Sequence, residues 1–234
     1  MEINEFSLTL AKKETLARDL LALFFERTKN FSFRGGQFVQ FHIPIELPHD
    51  PPFVLRSYSI ASTPQDTMLE FCVKLLPNGK ASRYFADMQI GEIVTMEGPR
   101  GRFVIDGTVL EHVFIATGAG LAPIMGMIRD ELENKKTTAS LHLLFGVRTE
   151  EDIFWINRLE KLSHEYRNFS FQITLSQPDD SWKGLCGRVT AHLTPPFSLS
   201  AAWYLCGSLD MVKDARHMLT DAGISNEKIR FEIF

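Results

Sequence analysis

Three short segments carry side chains or backbone suited to holding a phosphorylated ligand. In Arg56-Ser57-Tyr58-Ser59, an arginine can pair bidentately with phosphate, a tyrosine can stack on a planar ring, and a serine hydroxyl can hydrogen-bond a ring nitrogen. Some twenty residues later, Gly79-Lys80-Ala81-Ser82 reads as a loop entering a short helix, Ala81–Met88, whose first amides are free to meet a second phosphate. Thr117-Gly118-Ala119-Gly120-Leu121-Ala122-Pro123 follows an apolar run and opens a helix. Its glycines allow a tight turn and close approach of a ligand, the helix start favours a pyrophosphate, and Pro123 suits the first helical turn. Each segment has a plainer alternative: a packing turn at Gly118–Gly120, a surface charge at Arg56, a core aromatic at Tyr58, a helix cap at Ser82.

The elements that would position these segments differ between the two halves. Up to about residue 105, short strands are expected at Glu5–Thr9, Leu20–Phe25, Phe38–Ile43, Ser57–Ala61, Met68–Lys74 and Ile93–Glu97, with turns at Arg34–Gly36, Pro48–Pro52, Pro77–Gly79 and Gly98–Gly101. That spacing predicts an antiparallel barrel or sandwich. Phe38–Ile43 places Val39, Phe41 and Ile43 on one face, which should point inward. After about Asp106, apolar runs at His112–Thr117, Ser140–Val147, Phe169–Ser176 and Ala202–Cys206 alternate with helical stretches at Ile124–Asn134, Asp152–Tyr166 and Met211–Ala222. This alternation predicts a parallel sheet covered on both faces, with ligands at the carboxyl ends of its strands. The expected division is 1–105 and 106–234.

Composition narrows the function classes. A net charge of −4 without a basic run argues against nucleic acid. Apolar runs such as Leu20–Phe25 are far too short to span a bilayer, and the N-terminus lacks a secretory pattern, so a cytoplasmic protein without membrane insertion is expected. The cysteines Cys72, Cys186 and Cys206 are odd in number and widely spaced, which suits neither a disulfide framework nor a four-cysteine cluster. No metal site is expected, and any iron–sulfur centre would belong to another protein.

Five segments in order, the three above with Gly98-Pro99-Arg100-Gly101-Arg102-Phe103 and Cys206-Gly207-Ser208, resemble the ferredoxin–NADP reductase superfamily over nearly the whole chain. The resemblance implies a flavin-binding Greek-key β-barrel followed by an α/β nucleotide-binding domain, with no fused iron–sulfur domain. It implies that Arg56 meets the FAD pyrophosphate, Tyr58 stacks on the isoalloxazine, Ser59 approaches its N5, and Ser57 shares that motif. Backbone around Cys72, Val73 and Lys74, with Gly79, Lys80, Ala81 and Ser82, would hold the rest of FAD. Thr117 would lie beside both cofactors, Gly118, Ala119, Gly120, Ala122 and Pro123 would cradle the NAD(P) pyrophosphate, and Cys206 with Gly207 would border the nicotinamide. The ending Phe231-Glu232-Ile233-Phe234 looks like that of plant-type members, in which a terminal aromatic covers the flavin and the acid organises the site. Phe234 stands where tyrosine is more usual, and a terminal strand would give the same letters. The candidate catalytic residues are therefore Ser59, Cys206 and Glu232.

The activity implied is hydride transfer between NAD(P)H and FAD, with electrons passed to a redox protein, such as a ferredoxin or oxygenase component, or to a small acceptor. A flavin-binding electron-transfer or regulatory subunit that does not turn over alone is the alternative from another class, and a colourless interaction module is a third. Arg148, after the strand ending at Val147, could take a 2′-phosphate, or could pair with Glu150, Glu151 or Asp152. Ser176-Gln177-Pro178-Asp179-Asp180 places acids where NADPH users commonly carry a cation, which tips the choice slightly toward NADH.

Overall fold

The computed structural model describes residues 4–45 and 52–234. Six strands, β1 (Glu5–Ala17), β2 (Leu20–Glu26), β3 (Phe38–Pro44), β4 (Phe53–Ser59), β5 (Met68–Lys74) and β6 (Ile93–Arg100), form an antiparallel sheet in the order β4-β3-β6-β1-β2-β5. Placing β6 between β3 and β1 makes the path a Greek key. A bridge between Ile60 and Phe71, with the Ala61 amide donating to Glu70 O at 2.8 Å, joins the two ends of the sheet into a barrel. Beyond this bridge, among the described residues, β4 and β5 are not paired with each other, so the barrel keeps a slot with unpaired backbone edges.

The barrel interior is aromatic because every second residue of β3 points inward. Val39, Phe41 and Ile43 are fully buried, as expected, and Phe41 meets Phe71 and Phe85 edge-on at 5.0 and 5.3 Å. Such pairs contribute about 0.5–1.5 kcal/mol each beyond the area they bury. Phe85 belongs to α1 (Lys80–Asp87), which covers the slot end of the barrel.

The second half is a parallel sheet in the order β10-β9-β8-β7-β11-β12, built from β7 (Glu111–Thr117), β8 (Ser140–Val147), β9 (Phe169–Leu175), β10 (Leu185–Cys186), β11 (Ala202–Gly207) and β12 (Ile229–Ile233). One face packs on α2 (Leu121–Arg129), α3 (Ile156–Glu165) and the barrel; the other packs on α4 (Leu209–Asp221). Chain order reverses at β7, which lies between β8 and β11, so the crevice at the carboxyl ends of these strands is the natural ligand position.

Several boundaries differ from the sequence expectation. The first strand runs on to Ala17, carried past Thr9 by the hairpin with β2. The fourth lies at Phe53–Ser59 rather than Ser57–Ala61, because Arg56 and Tyr58 pair with Phe41 and Val39 in the ladder. Gly98 is not in a turn: β6 continues to Arg100, with a bulge opposite Phe38 to Gln40. Helix α3 starts at Ile156, not Asp152, because Trp155 holds a left-handed conformation (φ 57°) and Thr149 with Asp152 closes a separate capped turn. The helix expected at Ile124–Asn134 begins at Leu121 and ends in a wider turn over Asp130–Asn134. Of the turn expected at Pro48–Pro52, only Pro52 is among the described residues. No helix among the described residues is long and apolar enough to cross a membrane.

Candidate active site

The seam between barrel and sheet is built by close backbone packing. A Cβ at Gly126, in the middle of α2, would lie 3.0 Å from Ile60 O, and one at Gly35 would lie 3.1 Å from Gly126 O. A side chain at either glycine would press the helix and the barrel apart by about a few tenths of an ångström. At the last residue of α2, Arg129 pairs with Asp66 of the barrel at 2.8 Å and with Glu133 at 2.8 Å. On the far side of the seam Arg230 pairs with Asp106 at 2.9 Å, and the Asp106 amide donates to the Tyr204 hydroxyl at 2.9 Å.

Within this seam the three candidate catalytic residues converge from distant parts of the chain. Cys206 and Glu232 are register partners on β11 and β12, at the carboxyl end of the sheet. Ser59, the last residue of β4, lies near enough to Glu232 for its hydroxyl to favour the charged carboxylate. Burial pushes the Glu232 pKa up to about 7, and the Ser59 hydroxyl only partly opposes this. Cys206 is fully buried, and burial, reinforced by the nearby Glu232 charge, raises its thiol well above the ordinary value. It is a neutral thiol at physiological pH, not a nucleophile. The Glu232 carboxylate also faces Gly101, where a Cβ would lie 3.3 Å from Oε1, and Gln37 holds that loop by donating to Gly101 O at 3.3 Å.

The barrel slot gathers a second group. Arg56 and Ser57 are exposed, with the Arg56 guanidinium donating to Leu55 O at 2.8 Å. Tyr58 is half-buried, edge-on to Phe85 at 5.4 Å, and burial pushes its hydroxyl up to about 12, against the opposing charge of Arg56. Across the slot, Cys72 faces the α/β half, Val73 points into the barrel core, and Lys74 is exposed beside Asp19 at 3.5 Å. Gly79 caps α1 without a side-chain hydrogen bond, leaving the amides of Lys80, Ala81 and Ser82 in the first turn available. The Ser82 hydroxyl is turned inward: it accepts from the Leu76 amide at 2.8 Å and donates to Lys74 O at 3.4 Å. Its role is to pin the loop between β5 and α1, so any contact it makes with a ligand comes from the backbone.

The glycine-rich turn divides in the same way. Gly120 is packed so tightly that a Cβ would lie 2.2 Å from Cys206 O, and one at Gly207 (φ 150°) would lie 2.0 Å from Thr117 Oγ1. Thr117 Oγ1 accepts from the Ser208 amide at 3.2 Å. Ala122 and Pro123 are buried in the helix packing. Gly118, by contrast, is exposed at φ 53° with nothing near its Cβ position, so it leaves an open surface for a ligand. Ala119 lies beside it, half-buried.

The remaining candidates sit at the rim. Arg148 is exposed at the end of β8, and none of Glu150, Glu151 and Asp152 forms an ion pair with it among the described residues. Backbone bonds from Ser176 to Val147 and from Gln177 to Arg148 bring the acidic loop directly alongside it. Phe234 is 55% exposed, and its amide donates to Gly207 O at 3.0 Å. The terminal aromatic is thereby anchored next to the Cys206–Gly207 end of β11. Sequence reasoning missed Gln37, Gly35 and Gly126. A glycine inside a predicted helix was the available signal for the last.

An open slot with unpaired strand edges, an uncapped helix start and an exposed glycine turn fit a flavin dinucleotide on the barrel and a second dinucleotide on the sheet. Residues 7–105 match the oxidoreductase FAD-binding domain family, and residues 114–217 match the oxidoreductase NAD-binding domain family. The chain belongs to the ferredoxin–NADP reductase superfamily. It is 32% identical over 213 residues to the anthranilate 1,2-dioxygenase electron transfer component of Acinetobacter baylyi, covering 89% of this chain and 60% of that protein. It is 31% identical over 198 residues to one component of the Na(+)-translocating NADH-quinone reductase of Pseudomonas paraeruginosa, covering 77% of this chain and 49% of that component. The chain thus spans less than two thirds of the length of either relative. The crystal structure of Amycolatopsis cytochrome P450 reductase GcoB superposes with a TM-score of 0.88 and 26% identity, over 99% of this chain and 70% of that one.

Proposed function

We propose that this superfamily member is an NAD(P)H-dependent flavoprotein reductase that passes electrons to a redox protein. The observation that carries the reading is the meeting of Ser59, Cys206 and Glu232 at the seam where the barrel slot faces the carboxyl end of the sheet. When bound, the two cofactors supply hydride transfer between nicotinamide C4 and flavin N5, and release of single electrons from the reduced flavin.

The chain's own residues orient and shield. Tyr58 offers a ring face beside the slot, Arg56 an exposed guanidinium for a pyrophosphate, and Ser57, Cys72, Val73, Lys74 and Gly79 to Ser82 backbone or polar edges. Gly118 presents backbone without obstruction and Ala119 lies half-buried beside it, with Gly120 packed behind on Cys206 and with Ala122 and Pro123 fixing the helix. Cys206 and Gly207 form a small, neutral floor. Glu232 exchanges its proton near neutrality beside the Ser59 hydroxyl, so the site can hold or release one charge without a separate base. Phe234 is held beside the same floor through its amide bond to Gly207 O. Holding two rings in near-attack geometry is worth up to roughly 7–11 kcal/mol of barrier.

The functional division is at 105/106, with the FAD-binding part before it and the NAD-binding part after it. NADH is the preferred donor, because the Asp179 and Asp180 loop adjoins Arg148 where a 2′-phosphate would sit. The acceptor is an iron–sulfur or oxygenase-type protein, a reading supported by the A. baylyi relative's name as the electron transfer component of a dioxygenase. The protein works in the cytoplasm, where reduced nicotinamide is supplied. Anaerobic titration of the FAD-loaded protein with NADH and NADPH, followed by acceptor proteins, tests each part: bleaching by NADH and reoxidation by an iron–sulfur protein are expected. Bound flavin that neither nicotinamide bleaches would leave only an electron-transfer role within a larger complex.

A further inference from the structure

Strand β5 is buried on both faces, which is unusual for a barrel strand. Leu69, Phe71 and Val73 fill the barrel core, while Cys72 packs into the core of the α/β half. On that second face Glu70 is only 4% exposed, and one of its oxygens accepts from Arg158 of α3 at 2.8 Å. Its other oxygen is buried and has no hydrogen-bond partner among the described residues. Arg158 lies over the Trp155 ring at 4.8 Å, and Trp155 is the residue whose left-handed backbone starts α3. A buried carboxylate whose cationic partner comes from the other half of the molecule draws that half toward it. Losing the partner strands a charge in a nonpolar place.

We propose that Arg158 and Glu70 are positioning residues for hydride transfer. The pair fixes the distance between β5, whose Cys72–Lys74 backbone borders the flavin slot, and the segment after β8 that borders the nicotinamide side. The geometry favours this over a purely local ion pair. Glu70 lies two residues before Cys72 on the same face, and its backbone is tied to the barrel closure through Ser62 Oγ at 3.1 Å and the Ala61 amide at 2.8 Å. A shift of Arg158 therefore reaches the slot through one rigid strand. Arg129 with Asp66 pins the same two halves elsewhere, so loss of the first pair tilts the seam and does not open it.

The proposal rests on the reductase reading, and the test separates the two. Wild-type protein, Arg158→Ala, Arg158→Lys and Glu70→Gln are loaded with FAD and reduced by NADH in stopped flow. Hydrogen exchange is followed on the flavin-free proteins. In Arg158→Ala the limiting reduction rate should fall about tenfold or more. FAD stoichiometry should stay at the wild-type level and the NADH dissociation constant within about twofold. The long-wavelength absorbance of the stacked nicotinamide–flavin pair should weaken, and amides of 70–74 and 155–159 should exchange faster without flavin. Arg158→Lys should recover most of the rate, and Glu70→Gln, which keeps the shape, should lose less than Arg158→Ala. A wild-type limiting rate in both Arg158→Ala and Glu70→Gln overturns the proposal, as does a rate loss that only follows loss of FAD. If Arg158→Ala does not fold, Glu70→Gln decides by the same measures. Wild-type protein that takes up no flavin, or is reduced by neither nicotinamide, sinks the reductase reading itself.

Discussion

The two halves approach ligand binding in opposite ways. In the barrel the leading candidate contacts are side chains, Arg56 and Tyr58, joined by backbone at the start of α1, and they project from an end strand whose outer backbone edge is unpaired among the described residues. In the α/β half they are backbone, displayed at Gly118 and locked from behind by Gly120 and Gly207 packed against Cys206 and Thr117. A side-chain site can be trimmed one interaction at a time. A backbone site depends on packing that tolerates no added atom, so its failures are structural first and chemical second.

The sharpest way to break this contrast is at Gly120. An added methyl there meets the backbone of Cys206, which has no flexible end to move. Gly120→Ala should destabilise the protein by about 3 kcal/mol, read from urea unfolding, and nicotinamide binding should fail with it. Gly118→Ala sharpens the same comparison. The methyl has room, and only the left-handed backbone resists, at about 1–2 kcal/mol. The fold should survive while NADH affinity falls.

On the barrel side, Tyr58→Ala should weaken FAD retention by about tenfold with the unfolding midpoint little changed, measured by flavin release on dilution. An equal loss of stability would mean that Tyr58 serves the barrel core through Phe41 and Phe85 and little else.

Glu232 lies where the two modes meet. Its native pKa of about 7 lies above the ordinary 4.5, so the folded state binds this proton more tightly than the unfolded chain. Its contribution to stability is therefore greatest at low pH and declines as pH rises from the ordinary carboxylate range through about 7. Glu232→Gln should remove that slope, matching wild type in acid and exceeding it in mild base, by thermal unfolding across pH. The limiting flavin reduction rate should show a midpoint near 7 in wild type and none in the variant. The smallest effect expected is at Arg148, where, on the proposed NADH preference, Ala should change the NADPH to NADH ratio of kcat/KM by only a few fold, because an exposed charge contributes little.

Much of this organisation was legible before any coordinates. Period-two alternation at Phe38–Ile43 and the apolar runs at Ser140–Val147 and Met68–Lys74 gave their elements with little error, because burial dictates their letters directly. The convergence of Ser59 with Cys206 and Glu232 was reached through a family resemblance, since no local pattern links residues so far apart. What stayed illegible has two sources. The extension of β6 through Gly98 is set by pairing with the distant β3, while the inward turn of Ser82 toward Leu76 and Lys74 and the left-handed start of α3 at Trp155 are local conformations that the residue types do not announce. The pairing of Glu70 with Arg158 is of the first kind, two charges with no sequence relation brought together by the seam.

The most direct test is to load the purified protein with FAD and add NADH without oxygen, using Tyr58→Ala as the comparison. The account predicts one FAD per chain, prompt bleaching of its visible absorbance by NADH, and weaker retention in the variant. Wild-type protein that holds no flavin, or holds it equally well without the Tyr58 ring, would contradict the placement of the isoalloxazine in the slot.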